Sequence, residues 1–122
     1  MKDKIKEEII QYIVEYKSAN FGDIENHLES KGIPYKGDFV LDFPDNPTVF
    51  LWKGMSKDFL TAVRELIGTG TIIPVEVSRV LGYGYSETKV YGEPVAKEPK
   101  YHYKEEHWLP LAFKLPDNNN RD

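Results

Sequence analysis

The sequence predicts an α+β domain, with three helices first and a β-rich tail last. Three observations predict it. Apolar residues recur at helical spacing in residues 2–17, 20–31 and 56–67. Aromatic residues concentrate after residue 80, among glycines and prolines that interrupt helices. The 122 residues suit one domain, long enough to bury a core without covalent staples. We expect that domain to span residues 1–116, with a polar, Asn-rich disordered tail at 117–122.

The first helix is expected over residues 2–17. Ile5, Ile9, Tyr12, Ile13 and Tyr16 form one stripe, which Ile10 and Val14 widen. The second is expected over residues 20–31. Asn20 is its N-cap, Asp23 suits the positive helix end, and Gly32 takes the left-handed residue after it. Pro34 forbids continuation. The third helix, over residues 56–67, starts at the N-cap Ser56 and buries Phe59, Val63, Leu66 and Ile67.

Between the second and third helices, strands are expected over 38–43 and 48–53. Pro44-Asp45-Asn46-Pro47 is the turn of the hairpin they form. After the third helix, strands are expected over 71–80, 88–91 and 108–115. Pro74 marks an edge or a bulge, and Gly82-Tyr83-Gly84-Tyr85 allows a turn. Helix, helix, inserted hairpin, helix and β-rich wing make a winged-helix-like order. The insertion is the departure, because a helix-turn-helix joins its second and third helices by three or four residues.

Charge and composition exclude several classes. With no cysteine, disulfides and thiolate metal sites are impossible, which fits a reducing cytoplasm. The N-terminus, Met1-Lys2-Asp3-Lys4, runs into a charged helix without a signal peptide. The longest apolar runs, such as residues 48–52, are too short to span a bilayer. We therefore expect a cytoplasmic protein without a membrane partner. Net charge is −4, all of it from residues 1–50, which carry six Lys and ten acids. That balance counts against strong nonspecific DNA binding.

Winged-helix-like order nevertheless nominates a duplex-DNA surface. Lys53, Lys57, Thr61 and Arg64 would lie on or near the third helix. Arg79, Lys89, Lys97 and Lys100 would lie on or near the wing. The alternative is a protein-interaction module without nucleic-acid binding. The acidic N-terminal half, the aromatic hairpin and the tyrosine-rich tail motivate it. The broad apolar face of the first helix makes a homodimer through that helix the expected self-association. Among Tyr83, Tyr85, Tyr91, Tyr101 and Tyr103, packing inside the sheet is favoured over stacking on a base or a partner.

Nothing in the sequence points to an enzyme, a cofactor or a metal. His102 and His107 are five residues apart and would face opposite sides of a strand, so Glu106 between them completes no site. His27 is the remaining histidine. Glu105-Glu106 and Asp42/Asp45 read as solvated acids. Ser56 and Ser86 lie in no nucleophile elbow, and Gly82-Tyr83-Gly84 lacks a phosphate-loop context.

Two stretches carry a resemblance. One is Thr48-Val49-Phe50-Leu51-Trp52-Lys53-Gly54-Met55-Ser56, followed by an amphipathic helix. The other is Pro94-Val95-Ala96-Lys97, then Tyr101–Tyr103 and His107-Trp108-Leu109-Pro110-Leu111-Ala112-Phe113. Together they resemble small uncharacterised proteins of phages and pathogenicity islands of Gram-positive bacteria, staphylococci included. The resemblance covers roughly the C-terminal half and part of the insert. It implies an accessory protein of a mobile genetic element, acting on DNA or on a host or phage protein, and assigns no residue a role. Trp108 in this stretch is a large apolar anchor, and Pro110 holds Leu109 extended.

Overall fold

A computed structural model describes residues 1–76 and 95–116, and every structural statement concerns these residues. The elements run α1 (Lys2–Tyr16), β1 (Ala19–Asn20), α2 (Phe21–Ser30), β2 (Lys36–Phe43) and β3 (Asn46–Met55). There follow α3 (Lys57–Gly68), β4 (Ile73–Glu76), β5 (His107–Trp108) and β6 (Leu111–Lys114). The chain is thus α+β, with three helices and two small sheets among the described residues.

Each helix ends where its local chemistry dictates. In α1, Ile5, Ile9 and Ile13 are fully buried, each worth about 2 kcal/mol of transfer free energy. Lys17 then turns left-handed at φ 76°, and its N–H donates to the Ile13 carbonyl. A reciprocal capping box opens α2. The Asp23 N–H donates to Asn20 Oδ1 at 2.7 Å, and the Asn20 N–H donates to Asp23 Oδ2 at 3.0 Å. Gly32 follows α2 at φ 69°, as its position predicted. Ser56 caps α3 by accepting from the Phe59 N–H at 3.1 Å.

Polar links tie the helices together around the apolar seam. Lys2 and Lys6 reach from α1 to Glu65 on α3. Glu8, only 3% exposed, accepts from His27 Nε2 of α2 at 2.8 Å and from Lys4 Nζ at 3.1 Å. Ile5, Ile9 and Ile13 of the α1 stripe are thus buried inside the chain. Val14 and Tyr16 are the large apolar residues the stripe leaves exposed, beside Met1 at the N-cap of α1.

One sheet has the order β2-β3-β5. Its β2–β3 pair is an antiparallel hairpin interrupted by register shifts, and β5 runs parallel to β3. The Trp108 indole N–H donates to the Leu51 carbonyl, and the Leu109 N–H donates to the Phe50 carbonyl. The other sheet has the order β1-β6-β4 and is antiparallel throughout. Phe21 joins the sheets and helices. Its ring stacks on Trp52 at 5.1 Å and meets the edge of Phe113 at 5.1 Å.

The strand run expected at 108–115 divides. Leu109-Pro110 separates β5 from β6, and the two halves join different sheets. Proline lacks the N–H that a continuous ladder requires. The strand expected at 71–80 begins only at Ile73, as β4 over Ile73–Glu76; Thr71 and Ile72 precede it outside the ladder, and residues 77–80 lie outside the described residues. The strand at 88–91, the Gly82–Tyr85 turn and the tail at 117–122 lie outside them as well.

Candidate interaction groove

The inserted hairpin stands beside α3 because two backbones meet at its base. Gly37 abuts Met55 and Ser56, and the Ser56 N–H donates to the Tyr35 carbonyl at 2.8 Å. From there β2 runs along α3 to the Pro44-Asp45 turn, where Asp45 adopts φ 63°. A left-handed residue directly after a proline is what a type II turn requires.

Between β2, the C-terminal half of α3 and β4 lies an open groove of about 680 Å³. Leu41, Leu51, Leu109 and Leu111 supply apolar lining from both sheets. Arg64, Ile67 and Gly68 form the α3 side. Val40, Asp42, Pro44 and Asp45 form the β2 rim, and Pro74 and Glu76 form the β4 rim. Its volume falls within the range of small-ligand and peptide clefts.

Three carboxylates and one guanidinium line this groove. Burial pushes the Asp42 carboxyl above its ordinary range, and Glu106 adds to that, while Arg64 and Lys53 oppose it. No ion pair joins Asp42, Asp45, Glu76 or Arg64 to another described residue. Elsewhere, burial raises Glu25, whose carboxylate accepts from the Trp52 indole at 2.8 Å. His27 and Lys4 hold Glu8 below the usual carboxylate range.

The described residues nominated for DNA binding divide into three groups. Lys57, Thr61 and Arg64 share one face of α3, with Lys57 and Arg64 exposed and Thr61 half-buried. Lys53 pairs with Glu106 and lies 4.4 Å over the Phe50 ring. Lys97 and Lys100 are exposed on the segment that precedes β5. Arg79 and Lys89 lie outside the described residues.

A row of rings runs beside that last segment. Tyr101 meets Tyr103 at 4.8 Å, and Tyr103 stacks on His107 at 3.7 Å. Tyr101 is 60% exposed, contrary to the packing expected for it. His107 Nδ1 lies 2.8 Å from the Glu105 carbonyl, and Glu106 is committed to Lys53. Among the described residues no three metal-capable side chains converge, and no helix is long and apolar enough to cross a membrane.

No protein-family model, curated protein or solved structure matches this chain. Its function therefore has to be argued from the groove. Asp42 and Asp45 are exposed, as solvated acids are, but sequence reasoning missed the groove that they line. The available signal was their place in a hairpin next to an amphipathic helix, which by itself names no shared cavity.

Proposed function

We propose that this chain is a protein-interaction module on a winged-helix-like frame, docking its partner in the groove beside α3. The groove itself carries this reading. It is open and apolar within, and no described residue forms an ion pair with the acids that line it. The order β1-β6-β4 beside three helices supports the winged-helix-like frame. The module is non-enzymatic on this reading. Its setting as an accessory protein of a mobile genetic element rests on the sequence resemblance.

One observation favours a second reading. Lys57, Thr61 and Arg64 share a face of α3, as a DNA-contacting helix requires. Asp42 and Asp45 line the groove beside Arg64, and Glu106 engages Lys53, which weakens the positive field that phosphate needs.

A position-dependent photocrosslinking experiment tests the proposal. A photoreactive side chain at Gly68 meets no atom within 4 Å of its Cβ, so the fold tolerates it. In cells, Gly68 and Val40 positions are expected to give one discrete protein adduct, and exposed Glu15 on α1 none. Equal labelling from all three positions refutes the proposal. A salt-sensitive shift of duplex DNA that disappears in Lys57→Ala and Arg64→Ala would establish the second reading instead.

A further inference from the structure

The chemistry of the groove specifies what fills it. Resting on the interaction reading, we propose that the groove takes a segment of a partner protein bearing an aliphatic or aromatic anchor flanked by lysine or arginine. The buried leucines of both sheets offer that anchor a surface without hydrogen-bonding demands. Desolvating it there is favourable in proportion to the area covered. Val40, 39% exposed on the rim, adds apolar area that an occupant would cover.

Charge decides the flanks. Among the described residues, Asp42, Asp45 and Glu76 line the groove with one cation, Arg64. No described residue pairs with any of the three acids. A basic flank would supply the missing counter-charge, while an acidic flank would meet repulsion from three sides. The raised Asp42 carboxyl is compatible with this reading, since a partner cation would favour its ionised form.

Both rims argue for side-chain docking over strand addition. Repeated register shifts break the ladder of β2, and Pro74 removes an N–H from β4. Bulges and proline are the devices that discourage pairing at a sheet edge. The partner is therefore read through its anchor and its flanks, not through a backbone ladder.

The test uses the full chain, isotope-labelled, with four amidated hexapeptides as probes. They carry a central Leu-Trp flanked by lysine, glutamate or serine, and a central Ser-Ser flanked by lysine. The lysine-flanked Leu-Trp peptide is expected to shift the amides of Leu41, Ile67 and Leu109. It is expected to bind about tenfold more tightly than the serine-flanked one, as two rim ion pairs allow. An Asp42→Asn/Asp45→Asn variant should lose that margin and keep its dispersed spectrum, whereas Glu15→Gln should keep the margin. Equal binding of lysine- and serine-flanked peptides, or tighter binding of the glutamate-flanked one, overturns this inference and leaves the interaction reading standing. Groove shifts with none of the four also overturn it, and the crosslinking result then judges the interaction reading on its own.

Discussion

Asn46 offers the sharpest test of how the groove is held in shape. It is 2% exposed, directly follows the Pro44-Asp45 turn and satisfies its whole amide. Its Nδ2 donates to the carbonyls of Pro99 and Tyr101, each at 2.7 Å. Its Oδ1 accepts from the Thr48 N–H at 3.1 Å and from Thr48 Oγ1 at 2.6 Å. Thr48 Oγ1 in turn accepts from the Tyr103 N–H at 3.1 Å. One side chain thus fastens the segment before β5 to the hairpin turn that forms the groove rim.

Asn46→Ala deletes all four bonds. At roughly 1 kcal/mol net each, the ceiling is about 4 kcal/mol. Tyr101 is exposed and Thr48 half-buried, so water recovers part of this, and the expected loss is about 3 kcal/mol. For a chain of this size that is a fall in Tm of roughly 10 °C. Asn46→Asp keeps the acceptor for Thr48 but aims a carboxylate at two carbonyls. Without a cation beside it, that carboxyl would titrate higher folded than unfolded. Its deficit against the wild type should therefore narrow as pH falls through its titration, and widen again as pH rises. Urea melts followed by tryptophan fluorescence and circular dichroism measure both. A loss below about 1 kcal/mol for Asn46→Ala would refute the reasoning, because neutral buried bonds cannot then be holding the turn.

Three further predictions follow from packing and charge. A Cβ at Gly37 would meet the Met55 carbonyl oxygen at 2.6 Å and Ser56 Cα at 2.7 Å, both backbone. Gly37→Ala should cost about 2–3 kcal/mol in a denaturant melt, while Gly32→Ala, with open space but φ 69°, should cost about 1 kcal/mol. Glu8 is held below the ordinary carboxylate range, so its contribution is present above the unfolded pKa and lost as pH falls through the folded one. Glu8→Gln should accordingly flatten the acid limb of a Tm-against-pH curve. Asp42 is raised, so its ionised form opposes folding at neutral pH. Asp42→Asn should raise Tm at pH 7, with the gain vanishing in acid, while weakening lysine-flanked peptides in the spectra described above.

Local signals explain what was legible in the sequence. Asn20, Gly32 and Ser56 act within three or four residues of themselves, and each sits where its type predicts. Pro44-Asp45-Asn46-Pro47 likewise marks the hairpin turn locally, although Asn46 and Pro47 already belong to β3. β1 was invisible for the opposite reason. It is two residues long and exists only because Ala19 and Asn20 pair with Phe113 and Ala112, more than ninety positions away. The parallel pairing of β5 with β3 is equally non-local, so a continuous strand at 108–115 was the natural expectation. The groove combines these failures. Its lining comes from β2, β3, α3, β4 and the stretch around β5 and β6, and no window of sequence contains them together.

On the proposed reading, the inserted hairpin is what turns a winged-helix-like frame away from DNA and toward protein. A helix-turn-helix leaves the outer face of its third helix bare, so that the face can enter a groove of the duplex. Here β2 stands along α3, and the residues from Val40 to Asp45 share a cavity with Arg64, Ile67 and Gly68. A phosphate approaching Arg64 would come close to Asp42 and Asp45, and repulsion at such short range is only weakly screened by salt. The same acids would attract a lysine or arginine, and the leucines behind them would hold the side chain next to it. Asp42, Asp45 and Glu76 are exposed beside an apolar cavity, and none forms an ion pair with a described residue. On the proposed reading, that arrangement of exposed acids around an apolar cavity suits a basic, apolar segment.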